Sequence, residues 1–187
     1  MRKLVVSEFV SLDGVMQSPG SEAGFRHSGW VLERFAAEHD AHKYEELTET
    51  SALLLGRVTY EGFAAAWPSV KGEFADRMNA LPKYVVSSTL HEPLAWNASL
   101  LKGDVAGEVE ALKDEDGEGH VFVHGSRSLA QELMRRGLVD EVRLMVFPVI
   151  LGSGARLFPG SPDKTSLTLA ASRVFDSGVV ALTYART

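Results

Sequence analysis

The alternation of short apolar runs with amphipathic segments is the feature of this sequence that most limits its fold. Runs rich in Val, Leu and Phe predict strands, and segments with helical periodicity separate most of them. Runs 53–55 and 121–123 are apolar at every position, which is typical of strands buried on both faces of a parallel sheet. This order predicts an α/β fold with helices on both faces of a central sheet. The predicted strands are residues 3–11, 52–56, 83–87, 121–124, 141–149 and 179–185, with one or two more in 167–176, and the predicted helices are residues 31–50, 59–66, 73–80, 105–114 and 128–136.

The C-terminal part of the chain follows a different pattern. After Gly137 no convincing helical pattern remains, whereas strand patterns surround Phe147, Leu169, Phe175 and Leu182. Strands that follow one another without helices favour antiparallel pairing. The sequence therefore predicts a mixed sheet.

Composition narrows the class of protein. The 187 residues include 45% hydrophobic side chains and no cysteine, and they show no repeat and no low-complexity linker. We therefore expect one domain, residues 1–187, whose core needs no disulfide. The 25 Asp and Glu residues outnumber the 19 Lys and Arg residues, and this acidic balance makes nucleic acid a poor candidate partner. The apolar run 4–6 is too short for a signal peptide or a membrane span, so we expect a soluble, cytoplasmic protein without a membrane partner.

The turn after the second predicted strand is a candidate anion site. Gly56 permits a close backbone approach, and Arg57 carries a guanidinium group suited to phosphate. Thr59 is placed to cap the helix that follows, and a helix N-terminus attracts anions. These residues fit an ordinary strand-to-helix turn with an exposed arginine equally well.

Two further turns follow predicted strands. Ser87 and Ser88 end one strand, and Gly125 and Ser126 lie between another strand and an amphipathic helix. The carboxyl ends of strands are where open α/β sheets bind ligands, although hydroxyl clusters also make plain turns. Taken together, the three turns indicate a nucleotide site.

Asp40 is the candidate residue for acid–base chemistry. It interrupts a stripe at helical spacing that is otherwise formed by Leu32, Ala36, Tyr44 and Leu47. A carboxylate on such a stripe would face a cleft and act as a proton donor or substrate anchor. The alternative is a kink or cap between two shorter helices.

Two other patterns are rejected. Residues 151–157 resemble a dinucleotide fingerprint, but Leu157 stands at the third glycine position and no clear helix follows. His39 and His42 flank Asp40, yet they lack the further ligands that a zinc site needs. We interpret them as solvated helix residues and expect no metal.

Several motifs in sequence order resemble one family. They are residues 11–14 (SLDG), 54–61 (LLGRVTYE), 83–90 (KYVVSSTL), 124–126 (HGS), 138–142 (LVDEV), 148–154 and 156–158 (RLF). They resemble the dihydrofolate reductase-like family, which includes the reductase domain of bacterial riboflavin biosynthesis. The resemblance covers nearly the whole chain. It implies a three-layer α/β/α fold around a mixed sheet of about eight strands.

The resemblance also implies NADPH as cofactor. Carried over by position, the residues that would hold its phosphates are Gly56, Arg57, Thr59, Ser87, Ser88, Gly125 and Ser126. Arg57 would lie near the adenosine 2′-phosphate, and Gly125 and Ser126 would receive the pyrophosphate. Phe9, Val15 and Met16 match the stretch beside the nicotinamide.

The resemblance also bears on the catalytic acid. Counting back from Gly56 places Asp40 where dihydrofolate reductases carry the acid that protonates the pterin, and Glu8, Asp13 and Glu33 are other acids that could line a cleft. The resemblance implies an NADPH-dependent reductase of a C=N or C=O bond in a small heterocycle, in the riboflavin pathway or on another substrate, and it implies a homodimer. The alternatives are a nucleotide-binding module without turnover, a dimeric scaffold without cofactor, and a true dihydrofolate reductase.

Overall fold

The computed structural model describes residues 1–20, 22–158, 160 and 164–187, which form eight strands and five α-helices. In chain order they are β1 (Leu4–Ser11), α1 (Ala37–Thr48), β2 (Thr50–Gly56), α2 (Arg57–Ala66), α3 (Glu73–Ala80), β3 (Lys83–Val86), β4 (Ala98–Leu101), α4 (Val105–Asp114), β5 (His120–Val123), α5 (Arg127–Arg135), β6 (Glu141–Phe147), β7 (Leu167–Val174) and β8 (Val180–Arg186). A short 3₁₀ turn, Trp67–Ser69, follows α2.

The strands form a mixed sheet in the order β4-β3-β2-β5-β1-β6-β8-β7. The pairs β1–β5, β5–β2, β2–β3 and β3–β4 are parallel, whereas β6–β8 and β8–β7 are antiparallel. The predicted α/β class, with a mixed sheet of about eight strands, is confirmed. β4 was not among the predicted strands, because it is only four residues long and none of its residues is buried.

The chain folds into two compact units, and the boundary between them falls inside β1 and α1. The first unit comprises residues 1–6 and 43–140, and the second comprises residues 7–42 and 141–187. The core of the first unit includes Leu53, Leu55, Val85 and Phe122, as expected for the apolar runs of parallel strands. The core of the second unit includes Trp30 and Phe147.

Three helix starts differ from the predictions. α1 begins at Ala37 rather than at residue 31, since residues 30–34 form turns that bury Val31. α2 begins at Arg57, so Thr59 lies in its first turn and is not the N-cap. α5 begins at Arg127 rather than at residue 128. Each of α2 and α5 starts directly after a residue with extended backbone, Gly56 for α2 and Ser126 for α5.

Among the described residues, no helix is both long enough and apolar enough to cross a membrane.

Candidate functional site

The parallel strands of the first unit end along one edge of the sheet. The register places Gly56 beside Val86 and Val86 beside Leu101. On the other side of β2, Leu53 lies beside Phe122. The residues that follow β2, β3, β4 and β5 therefore share this edge, where open α/β sheets bind ligands.

Two glycines bring the turns after β2 and β5 into contact. A Cβ atom added to Gly56 would lie 1.7 Å from Oγ of Ser126, and one added to Gly125 would lie 2.8 Å from Oγ1 of Thr59. Gly125 also has a φ of +67°, a conformation that favours glycine. The structure thus brings together four of the predicted site residues, and neither glycine position has room for a side chain.

The two helices that begin at these turns have an unusual charge pattern. The first turns of α1, α3 and α4 each contain acidic residues, but those of α2 and α5 contain none. Instead, α2 starts with Arg57 and α5 starts with Arg127. A helix N-terminus is stabilised by negative charge, so an arginine there is unfavourable for the helix itself. An anion supplied from outside the helix would reverse that penalty.

The N-termini of α2 and α5 also lack a side-chain cap. Gly56 has no side chain, and the side chain of Ser126 makes no capping hydrogen bond. In contrast, the Asp104 carboxylate at the start of α4 accepts hydrogen bonds from the backbone N–H groups of Ala106 and Gly107 at 3.4 and 3.3 Å. α3 also lacks a side-chain cap, but its first turn carries the negative charge of Glu73 and Asp76. Of these three uncapped helices, α2 and α5 are therefore the two whose leading N–H groups suit an exogenous anion.

Arg57 and the serine turn complete this edge. Nη1 of Arg57 donates to Oε2 of Glu61 at 2.8 Å, and both side chains are about half-exposed. Oγ of Ser87 accepts from the backbone N–H groups of Thr89 and Leu90, each at 3.1 Å. Ser87 therefore shapes its own turn, whereas Ser88 is exposed to solvent.

In the second unit, Asp13 fastens two loops to each other. Its carboxylate accepts from the hydroxyl of Ser11 at 2.7 Å and from the backbone N–H groups of Leu151 and Gly152 at 3.1 and 3.0 Å. The Ser11 hydrogen bond, reinforced by these amides, lowers the pKa of Asp13 to about 2. Asp13 is thus an ionised structural residue and not a proton donor at neutral pH.

The residues expected beside a nicotinamide lie in this same unit. Val15 is fully buried and Met16 is nearly so, while Phe9 is half-buried. The ring of Phe9 makes an edge contact with Phe147 at a centroid distance of 5.7 Å. A Cβ atom added to Gly154 would lie 2.7 Å from Cγ1 of Val15. Gly154 thus serves loop packing, and no helix follows in the described residues, in agreement with the rejected dinucleotide fingerprint.

Asp40 does not occupy the buried position that the helical stripe predicts. Asp40 and Ala36 are exposed, and Leu32 is 59% exposed. The neighbouring His39 is fully buried instead. This corrects both the expected burial of Asp40 and the interpretation of His39 as solvated, whereas a catalytic role for Asp40 stays a prediction.

His39 links α1 to the turn between β7 and β8. The backbone N–H of Ala36 donates to Nδ1 at 3.0 Å, which places the proton of the neutral ring on Nε2, and Nε2 lies 2.8 Å from Oγ of Ser177. The ring packs against Phe175 at a centroid distance of 4.8 Å. Because Nε2 is the donor, it cannot take a proton from Ser177, so this pair is not an activated nucleophile.

The structure adds residues that the sequence interpretation missed. Arg127 begins α5 directly after the Gly125–Ser126 turn, just as Arg57 begins α2 directly after Gly56. This repeated pattern is the sequence signal that could have identified Arg127. Lys102 directly follows β4, but the missed strand concealed its position at the sheet edge. Within the described part of the chain, no group of three or more His, Asp or Glu side chains is arranged to hold a metal ion.

Sequence comparison identifies relatives along the whole chain. A family model described as the RibD C-terminal domain matches residues 2–181. Two Bacillus subtilis (strain 168) proteins, described as uncharacterized proteins YyaP and YwjB, are each 27% identical to this chain. The match to YyaP covers 98% of this chain and 94% of the relative, and the match to YwjB covers 95% of each.

Solved structures with the same fold include reductases. A putative riboflavin biosynthesis protein from Shewanella sp. PV-4 superposes with a TM-score of 0.77 at 20% identity and 99% coverage of both chains. RibD from Acinetobacter baumannii gives 0.72 at 14% identity, covering all of this chain and 58% of RibD. Dihydrofolate reductase from Enterococcus faecalis, complexed with NADP(H) and RAB-propyl, gives 0.62 at 18% identity, covering 99% and 96%. These likenesses show the dihydrofolate reductase-like fold.

Proposed function

This chain belongs to the RibD C-terminal domain family, and on that basis we propose that it is a reductase that uses NADPH to reduce a C=N or C=O bond of a small heterocyclic substrate. The family and the fold suggest a reductase of the riboflavin-biosynthesis type. The cofactor and the substrate are the parts that this proposal adds.

One observation carries the choice of a nucleotide cofactor. α2 and α5 start with arginine at adjacent glycine turns, against the preference of a helix N-terminus for negative charge. A pyrophosphate and a further phosphate would supply that charge. The absence of a Cβ atom at Gly56 and Gly125 lets the two turns pack against each other, which brings the N-termini of α2 and α5 together.

Different residues would bind the two phosphate-containing parts of NADPH. The guanidinium of Arg57, with the exposed hydroxyl of Ser88, would bind the 2′-phosphate that distinguishes NADPH from NADH. The N–H groups at the starts of α2 and α5 would bind the pyrophosphate, and Arg127 would add charge there. NADPH, when bound, supplies the hydride.

In the second unit the described residues provide an apolar support. Phe9, Val15 and Met16, which the resemblance assigns to the nicotinamide, lie in this unit. Val15 is fully buried, so its role would be to support the fold of this segment and not to touch a ligand. Asp40 is the acid that the resemblance implies as proton donor, and its carboxyl, exposed on the first turn of α1, would supply or relay a proton through water.

We propose 5-amino-6-(5-phosphoribosylamino)uracil as the first substrate to test. A pyrimidine is favoured by the solved neighbours, one of which is described as a pyrimidine reductase-like protein from Corynebacterium diphtheriae, with a TM-score of 0.67 at 13% identity. The test is loss of nicotinamide absorbance when this compound or dihydrofolate is added to enzyme and NADPH. Oxidation with the pyrimidine supports the proposal. Oxidation with dihydrofolate alone would indicate folate reduction, and NADPH binding without oxidation by either compound would favour a binding module.

We also propose that the protein is a homodimer, as the resemblance implies. β7 lies at an edge of the sheet, and all eight of its residues are exposed, among them Leu169 at 51% and Val174 at 75%. Light scattering of the purified protein is expected to give twice the chain mass of 20.3 kDa. A mass of one chain would contradict this.

A further inference from the structure

Glu61 stands one helical turn beyond Arg57 on the same face of α2. The pair is the i, i+4 contact at 2.8 Å, and the two side chains are 45% and 46% exposed. Half-exposed pairs of this kind contribute little to stability, so either side chain can exchange its partner for a ligand. The arginine precedes the glutamate, which is the less favourable order for such a pair in a helix.

The position of this pair gives it a role toward the ligand. Arg57 lies at the N-terminus of α2, where its positive charge is unfavourable for the helix but attracts an anion. Glu61 is its only carboxylate partner among the described residues, and this pairing partly neutralises the charge that an anion would otherwise meet. A phosphate that binds Arg57 must displace Glu61 or share the guanidinium with it. In the second case two negative groups lie on one guanidinium and repel each other.

We propose that Glu61 sets the cofactor selectivity of this site by competing with the 2′-phosphate of NADPH for Arg57. NADH has a ribose hydroxyl in place of that phosphate, and a carboxylate can accept a hydrogen bond from a hydroxyl. Glu61 thus weakens the binding of NADPH and leaves the binding of NADH unchanged. The preference for NADPH over NADH is therefore smaller than Arg57 alone would produce. This inference rests on the proposed function, because it assumes that the anion at Arg57 belongs to NADPH.

The test is calorimetric titration of the full chain with NADPH, NADH, 2′,5′-ADP and 5′-AMP. The variants are Glu61→Gln, Glu61→Asp and, as a control, Glu132→Gln. The control removes a carboxylate near the C-terminal end of α5 that pairs with Arg135 and, at the i, i+4 spacing, with Arg136. Glu61→Gln is expected to tighten NADPH and 2′,5′-ADP by roughly 3- to 10-fold, the size of a solvated charge repulsion. NADH and 5′-AMP are expected to change by less than about 2-fold, and Glu61→Asp and the control are expected to keep the wild-type ratio.

Two different results would overturn the proposal, and they can be distinguished. If the wild-type protein binds neither NADPH nor 2′,5′-ADP, both the proposed function and this inference fail. If it binds NADPH but Glu61→Gln leaves the NADPH-to-NADH affinity ratio unchanged or lowers it, only the inference fails. Circular dichroism of each variant shows whether α2 stays helical, so a change in selectivity cannot be mistaken for loss of the helix.

Discussion

Replacing Gly56 with alanine tests the contact between the two glycine turns. The new Cβ atom would lie 1.7 Å from Oγ and 3.1 Å from Cβ of Ser126. Rotation of the Ser126 side chain removes the first overlap, but the Cβ–Cβ distance stays below the ordinary contact range, so the turns must separate by a few tenths of an ångström. Overpacking of a buried position costs about 1–3 kcal/mol, which corresponds to a fall in Tm of roughly 2–12 °C for a chain of this size.

Thermal unfolding of four variants isolates that contact. Gly62→Ala, in the same helix with no atom within 4 Å of its added Cβ, is expected to keep or raise Tm. In the double variant Gly56→Ala/Ser126→Gly, the side chain that obstructs the new methyl group is gone, so most of the lost stability should return. Ser126→Gly alone is expected to cost only a few tenths of a kcal/mol. The reasoning is refuted if Gly56→Ala leaves Tm unchanged or if the double variant is no more stable than the sum of its parts.

Three further predictions concern stability. Asp13→Asn is expected to cost about 2 kcal/mol at neutral pH, because the carboxylate pKa is lowered from 3.8 to about 2 in the folded state. This contribution to the free energy of unfolding is present above about pH 5 and is lost as the pH falls toward 2. In an acid titration the variant should therefore lose stability less steeply than the wild-type protein. Burial lowers the pKa of Lys83 from 10.5 to about 8. Between these two pH values the unfolded chain binds more protons than the folded chain, so the free energy of unfolding rises with pH. Lys83→Met should flatten this rise in urea unfolding measured at a series of pH values. Ser177→Ala removes the acceptor of the buried His39 N–H and is expected to cost about 1–3 kcal/mol by urea unfolding, whereas the exposed Asp40→Asn should change stability by less than about 0.5 kcal/mol. Equal costs for these last two variants would contradict the assignment of His39, and not Asp40, to the buried position.

Strands with a continuous apolar run, and the turns that directly follow them, were predictable from the sequence. β2 and β5 are buried on both faces of a parallel sheet, so their apolar runs marked them clearly. The glycine turns that follow were recognisable for the same reason, since a strand, a glycine and a helix come in immediate succession. The four-residue β4 was missed because it is half-exposed and pairs only with β3 in the described sheet.

The register of α1 could not be predicted from hydrophobic periodicity, because His39 and Glu46 occupy two of its three buried positions and Leu47 is the only apolar residue among them. His39 is buried since Ser177, 138 positions away, lies at its Nε2. Glu46 is 4% exposed and is paired with Lys43. Such partners are known only once the chain is folded, so the pattern assigned the inward position to Asp40 instead.

The most direct test of the central claim is a calorimetric titration of the wild-type protein and Arg57→Ala with NADPH and NADH. The account predicts that the wild-type protein binds NADPH more tightly than NADH. It also predicts that Arg57→Ala weakens NADPH by about 10-fold or more, as expected for a charged hydrogen bond, while NADH changes by less than about 2-fold. Absence of binding to the wild-type protein, or equal losses for the two cofactors, would contradict the assignment of this sheet edge to NADPH.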